Sequence, residues 1–569
     1  MQLDSLALRN TTGGFLLAQI WESAVKRPYG LLAVLCLTLF LQGLFAVPAI
    51  DRDEARFAQA SKQMIETGDL VDVRFQGEPR HKKPVGIYWL QAAAASLLSA
   101  PPYDQIWPYR LPSLIGAILA VGLTFWAGQP LVGDRAALVG AALLAATLML
   151  GIEAKLAKTD AVLLATIVAA QGALARITLR TLSAPFPLVL LFWGALGLGT
   201  LVKGPIALLV IALTAVPLAV WNRDRSLVTR LRPLLGLVIV AAVVLPWAVC
   251  AYLATQGQFF HDAIAGDLVP KLRGGQESHG APPGTYLVLA FVTFWPGTLA
   301  LGPALVHAWT HRSDAGLRFL LAWAGPAWLV FELVPTKLAH YVLPLYPALA
   351  LLCGAVVAAA ASGRRTPLGG LWGRSALIAW TVVAAALAVF LALLDPLLTK
   401  QLSIVAIGLA LAVLVSLVPV VQSALRGQIT RAVGAAIVVS ALVQCTAFSF
   451  IAPRLSALWV STRVAALLPL DAQGRYVPLA ASGFAEPSLV FAAGTHTILG
   501  PPAEAAALLA RDPSAYAAIA EPLRAAFETV ARARGIAPRA VATISGFNYS
   551  VGKPVTLTLY RNGTKESPP

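Results

Sequence analysis

The chain of 569 residues is 58% hydrophobic and 12% charged, with 27 acidic residues against 43 basic ones. A mean hydropathy of +0.74 excludes a soluble globular protein. The formal charge of +16 does not point to nucleic acid, because the basic residues sit mainly in short loops between apolar runs, as positive-inside topology requires.

Crossing a hydrocarbon core about 30 Å thick takes about 17–25 apolar residues. Crossings are expected near 30–48, 108–128, 136–152, 160–175, 185–201, 205–221, 233–253, 286–307, 317–334, 341–361, 374–394, 401–421 and 432–450, about thirteen in all. The first reads as a signal anchor, since it lacks a small-residue cleavage site. Cys36, Cys250, Cys353 and Cys445 all fall inside apolar runs without metal or disulfide spacing, so they are read as packing residues. "PVGIYWLQAAAASLLSA" at 84–100 is the ambiguous run. If it does not cross, the loops with "GDR", "RITLR", "NRDRSLVTRLR", "SGRRT" and "RGQITR" all share the cytoplasmic side with Lys26 and Arg27; if it crosses, they fall outside. It is therefore taken as a juxtamembrane or re-entrant helix.

This parity places 49–107, the stretch around Lys155–Asp160, Val202–Pro205, the loop 254–285, "VPTKLAHY" and everything after about 452 on the external face. Residues 1–452 form the membrane domain. Residues 453–569 read as a small α/β domain, with "RYVPLAA", "PSLVFAA", "AVATISG" and "VTLTLYR" as strands and 502–511 and 513–534 as helices. It contains no GxGxxG or P-loop and is expected to act as a lid or acceptor-docking domain.

Candidate chemistry gathers on that external face. Asp51-Arg52-Asp53-Glu54-Ala55-Arg56 follows the first crossing. Acids suit a helix start, Asp53 and Arg56 share a face at i,i+3, and Asp51–Arg52 read as the cap. "RHKKPVGIYW" brings Arg80, His81, Lys82 and Lys83 to the same side as a basic rim. Asp160 lies near the membrane boundary, where insertion costs a carboxylate about 2.5–3.5 kcal/mol, so it is a site candidate. Lys203 and Lys337 lie between apolar runs on the same face. Carboxylates suit a general base, and lysines and arginines suit holding a phosphate. A polyprenyl phosphate places its phosphate at this depth.

The motifs Asp53-Glu54-Ala55-Arg56, "QMIETGDLVDVRFQGEPRHKKPVGIYWL", "AKTDAVLL", "LGTLVKGP" and "PTKLAHYVLPLYPAL" follow one another through the first 350 residues. In order and spacing the chain resembles the bacterial lipid A aminoarabinose transferases, within the protein O-mannosyltransferase superfamily. The resemblance implies an all-α polytopic membrane protein of the GT-C glycosyltransferase fold with a small C-terminal α/β periplasmic domain, in the bacterial inner membrane. It implies inverting transfer of a sugar from undecaprenyl or another polyprenyl phosphate to lipid A, lipopolysaccharide or another glycolipid. It makes Asp53 and Asp160 catalytic and assigns Arg56, Lys82, Lys83, Lys203 and Lys337 to the donor phosphate. Glu54, Tyr88, Asp267, His279 and Tyr341 are expected to contact substrate. Two metal-binding positions of the family fall here at Lys82 and Leu268, so no metal ligand is assigned and divalent-metal dependence is not carried over. The extra cation at Lys82 suits a more anionic donor or acceptor, such as a uronic acid sugar.

The loop "QGQFFHDAIAGDLVPKLRGGQESHGAPPGTY" has the length of a lid or binding loop. His261, Asp267, Lys271, Arg273, Glu277 and His279 are its candidate contacts. Protein O-glycosyl transfer is the alternative within the same chemistry. A transporter or lipid flippase is the alternative outside it, but that class favours charges near the bilayer midplane and repeat symmetry, neither of which is visible here.

Overall fold

A computed structural model of the chain describes residues 26–179, 184–274, 280–364, 366, 370–399 and 403–563. Among them, nine helices are long and apolar enough to cross a membrane unaided, the first Trp107–Val132 and the last Ile429–Arg454. The chain is a multi-pass membrane protein, and helices are the form in which backbone polar groups are satisfied inside lipid. The other four expected crossings contain shorter pieces. They are Pro28–Phe40 (α1), Asp134–Ala146 followed by Leu148–Glu153, Ile206–Asn222, and Thr285–Thr293 followed by Thr298–Thr310.

The segment between α1 and Trp107 holds helix α2 (Asp53–Thr67), a short hairpin of β1 (Arg74–Phe75) with β2 (Glu78–Pro79), and helix α3 (Gly86–Leu98). At 1.5 Å per residue the 13 residues of α3 reach about 20 Å, the same length as α1. The ambiguous run thus holds one short helix. Helix α4 (Trp107–Val132) leads into α5 (Asp134–Ala146), and α6 (Asp160–Thr178) packs back along α4. Glycines set the distances. A Cβ on Gly116 of α4 would meet Val162 backbone at 2.8 Å, and one on Gly354 would meet Ala136 O at 2.1 Å. These are the close crossings that small residues permit between membrane helices. Helix α7 (Phe186–Lys203) completes the cluster around α6. Beyond it, α8 (Ala315–Leu333) is followed by a 3₁₀ stretch at Ala339–Leu345 and then α9 (Tyr346–Ala361). Peripheral helix Pro233–Thr255 leaves Leu234, Leu237, Val238 and Leu253 uncovered by protein, the surface a bilayer fills.

The C-terminal domain is a five-stranded sheet in the order β4-β3-β5-β7-β6. Its strands are β3 (Leu479–Ser482), β4 (Ile498–Leu499), β5 (Tyr516–Ala520), β6 (Pro538–Asn548) and β7 (Lys553–Asn562). β3 pairs in parallel with β4 and β5, and β7 runs antiparallel to both β5 and β6. Helix α10 (Pro487–Ala493) covers one face with Val460 and Val464; α11 (Pro502–Arg511) and α12 (Arg524–Ala533) cover the other. Two expectations are corrected here. "PSLVFAA" is helix α10, started by Pro487 at its first position. The expected single helix 513–534 is strand β5 followed by α12. The alanines of β5 alternate between the two helical layers, with Ala517 and Ile519 on one and Ala518 and Ala520 on the other. A strand buried on both faces carries no polar alternation to announce it.

One buried ion pair organises the junction of these parts. Arg110, in the first turn of α4, donates from Nε and Nη2 to Glu54 at 2.8 and 2.9 Å, with both side chains about 1% exposed. The guanidinium also donates to the carbonyls of Leu44, Val47 and Pro48, which close the end of the first crossing. Glu54 in turn accepts from the backbone N–H of Ile50 and of Ala157, each at 2.9 Å. Glu54→Ala leaves a buried guanidinium unpaired, and breaking such a pair costs about 3–5 kcal/mol. The variant is expected to lose most of its folded yield and its cooperative melting transition in detergent, whereas Arg56→Ala should leave both near wild type.

Candidate active site

Helix α2 starts at the junction just described, and its first residues point in different directions. Arg52, immediately before the helix, has φ +66°, a left-handed conformation uncommon for residues with a Cβ. On one side of this turn Asp51 reaches the C-terminal domain. Its carboxylate accepts from Ser488 N at 3.0 Å, and its own N–H donates to the Tyr549 hydroxyl at 2.7 Å. Burial, with help from nearby Glu486, pushes the Asp51 carboxyl up to about 6. Asp51 is thus a docking residue and not the expected cap. On the other side, Asp53 is exposed at the start of the helix, and its side chain has no hydrogen bond or ion pair among the described residues. Arg56, one turn on, is half-buried and equally without a partner there.

Asp53 lies within electrostatic reach of Lys158, Tyr88 and Tyr341. Lys158 belongs to a second layer of charge at the start of α6. Lys203, the last residue of α7, donates to Asp160 Oδ1 at 2.5 Å, and Lys158 donates to Glu153 Oε1 at 3.0 Å while lying 3.9 Å from Asp160. The His340 ring lies 3.7 Å from Glu153 and 3.8 Å from Asp160. All of these groups are buried or nearly so. A carboxylate held between two ammonium groups keeps its charge and makes a weak proton acceptor. Asp160, which the family resemblance makes catalytic, is thus engaged by Lys203 and lies near Lys158.

The third part of the site comes from the loop after Pro233–Thr255. A π-helical stretch, Asp262–Leu268, carries Asp267, whose two carboxylate oxygens accept from different lysines, Lys83 at 3.0 Å and Lys271 at 2.5 Å. Burial pulls the Lys83 ammonium down to about 8 despite the Asp267 charge beside it. Burial opposes the Asp267 carboxylate, but Lys83 and Lys271 outweigh it and hold the group below its ordinary range. Lys82 is exposed next to Lys83. His81 is not part of a solvated rim: it is buried, its two ring nitrogens facing Asp72 at 2.9 Å and Asp262 at 3.0 Å, which ties this loop to the first external segment.

Five other expectations meet the structure as follows. Glu54 cannot contact substrate, because four donors already saturate its buried oxygens. Lys337 cannot hold a phosphate. It is buried and donates to the carbonyls of Phe331, Glu332 and Val334, the C-terminal end of α8, at 2.7–3.4 Å. Tyr88 is fully buried against Phe57, and its hydroxyl makes no hydrogen bond of ordinary geometry although the Arg80 guanidinium is near. His279 lies outside the described residues. Tyr341 is partly exposed, with the Lys203 ammonium 5.6 Å from its ring centre.

Sequence reasoning missed Arg110, Lys158 and His340. Arg110 had a usable signal, because a charge in the first turn of a crossing must find a partner.

Glu153, Asp160 and His340 place one potential ligand atom each within 4.8 Å of one another. Lys158 and Lys203 already neutralise the two carboxylates, so this group does not fit a divalent ion without displacing both ammonium groups. At the positions where the family resemblance puts ligands, Lys82 and Leu268 offer a cation and an alkyl group, neither of which binds a metal ion.

The fold defines the class: this is a GT-C membrane protein, and over 92% of its length it superposes on the crystal structure of ArnT from Cupriavidus metallidurans bound to undecaprenyl phosphate. That match has a TM-score of 0.71 at 18% identity and covers 96% of the ArnT chain. The sequence is similar to the undecaprenyl phosphate-alpha-4-amino-4-deoxy-L-arabinose arabinosyl transferases of Pseudomonas aeruginosa, 30% identical over 312 residues, and Pectobacterium atrosepticum, 29% identical over 350 residues. These matches cover 53% and 59% of this chain, and 54% and 60% of the respective relatives, so the similarity spans little more than half of each. Residues 82–249 match the family described as dolichyl-phosphate-mannose-protein mannosyltransferase. The resemblance read from the motifs is borne out.

Lys337→Met removes the cap on α8 and should lower the melting temperature in detergent, at a cost of about 1–3 kcal/mol for the carbonyls left unsatisfied.

Proposed function

We propose that the protein is an inverting glycosyltransferase that moves a sugar from a polyprenyl phosphate to an acceptor on the periplasmic face of the bacterial inner membrane. Lipid A, lipopolysaccharide or another glycolipid is the favoured acceptor. The observation that carries this reading is Asp53. It is an exposed carboxylate with no partner among the described residues, set at the edge of a patch where lysines outnumber acids. The similarity to aminoarabinosyl transferases that use undecaprenyl phosphate supports the donor class.

In this mechanism the donor's phosphate binds at Lys83 and its neighbours while the acceptor lies against Asp53. A hydroxyl acceptor gives its proton to Asp53 as its oxygen attacks the anomeric carbon, and the bond to the phosphate oxygen breaks on the opposite face. Charge that develops on the departing phosphate is stabilised by preplaced ammonium groups, the kind of term that dominates many enzymatic accelerations. A phosphate acceptor is already ionised, and Asp53 then serves to orient it. The cations take the part a divalent ion would otherwise play.

Mass spectrometry of lipid A, glycolipids and periplasmic glycoproteins from cells with and without the gene tests the reading. One lipid class should lose a sugar mass. Restoration should occur with the wild-type gene and fail with Asp53→Asn, whose kcat is expected to fall by about 10²–10⁴ if the base is lost. A shift confined to glycoproteins would move the acceptor to protein, and no shift in any glycan would overturn the proposal.

The low Lys83 value adds a pH signature. The ammonium form binds phosphate, so donor KM should rise as pH increases through about 8, also in the presence of a chelator. Lys83→Arg, which stays charged, should flatten that rise between pH 7 and about 9.5.

A further inference from the structure

Two ammonium groups gripping two oxygens of one anion is the arrangement that holds a phosphate. In this structure the anion is the protein's own. Asp267 is 7% exposed, and its Oδ2 and Oδ1 accept from Lys83 and Lys271, with Lys203 also within electrostatic reach of Lys83. Tyr88 is fully buried beside this arrangement, within electrostatic reach of both Asp267 and Asp53, with the Arg80 guanidinium near its hydroxyl.

Building on the proposed donor class, we infer that Asp267 is an internal competitor for the carrier phosphate, occupying the Lys83–Lys271 seat until the carrier displaces it. The backbone around Asp267 is suited to this. It lies in a π-helical stretch, a geometry that is rare and concentrated at functional sites. The stretch is anchored at its start, where Asp262 meets His81 and Phe259 packs on the His81 ring at 5.2 Å. Beyond that anchor, Ala263 packs on the core and Asp267 meets the two lysines. Displacing Asp267 breaks its contact with Lys83 on the neighbouring segment, while Lys271 stays one turn away on the same helical stretch.

The charges give the exchange a direction. A sugar-loaded carrier is a phosphodiester with one negative charge, matched by the single charge of Asp267. The spent carrier is a phosphomonoester carrying about 1.5 to 2 negative charges near neutral pH. It binds the same lysines more strongly, and a tethered carboxylate returning to them assists its departure. No new bond or redox step is involved; one anion replaces another.

The test is binding of undecaprenyl phosphate to the full-length protein in nanodiscs, comparing wild type, Asp267→Glu and Asp267→Asn. An internal competitor lowers apparent affinity by the fraction of time the seat is free. Asp267→Asn should therefore bind on the order of tenfold tighter, with Asp267→Glu close to wild type. If the Asn variant binds no tighter than wild type while wild type binds, the competitor role is wrong and the donor class stands. If neither protein binds undecaprenyl phosphate, the donor class fails and takes this inference with it. A second measurement uses wild type alone: hydrogen exchange in residues 262–271 should speed up on adding undecaprenyl phosphate. Unchanged or slower exchange there would overturn the displacement.

Discussion

The Glu54–Arg110 pair is the contact on which the rest of the external face depends. It gathers three separate pieces of backbone: the carbonyls that end the first crossing, the start of α2, and the Ala157 amide just before α6. Asp53 is covalently next to Glu54, and Asp160 is three residues from Ala157. One saturated ion pair therefore fixes the separation of the exposed carboxylate from the lysine-bound one. Buried pairs of this kind contribute little net stability over an apolar alternative, since desolvation offsets most of the attraction. Here the return is positional.

Around that anchor the charges sort by depth. Glu153 with Lys158, Asp160 with Lys203, and Asp267 with Lys83 and Lys271 are each compensated where water is scarce. An unpaired charge there would be expensive. Asp53 and Arg56 are left without such partners among the described residues, at the more open end of α2. A substrate with a phosphate and an acceptor group thus meets one layer already set in place and one still free to respond.

Much of this was legible in the sequence, for physical reasons. Membrane crossings advertise themselves because lipid tolerates no polar alternative. The motif residues Asp53, Asp160, Lys83 and Lys203 do come together on one face. What failed were assignments that depend on who reaches whom first. Lys337 looks like a free cation in "PTKLAHY", but the carbonyls at the end of α8 lie within its reach. Glu54 looks interchangeable with Asp53 until Arg110, 56 residues later, takes it. The alanines of Tyr516–Ala520 favour a helix by propensity, and only the helical layers on both sides of the sheet make them a strand.

The C-terminal domain is fastened along the outer face of α2. Asp51 meets Ser488, Gln59 meets Thr495, Lys62 donates to the Phe491 carbonyl, and Gln76 after the helix reaches the carbonyls of Thr495 and Thr497. The first of these contacts joins residues 437 positions apart. At about 5–20 residues per second of synthesis, α2 waits roughly 20–90 s for its outer partners to be made. Lys62, fully buried in the finished protein, has no enclosure until then. The helix that begins with Asp53 leaves the ribosome long before the segments that complete it, so a half-made chain carries the residue without the surroundings that hold it.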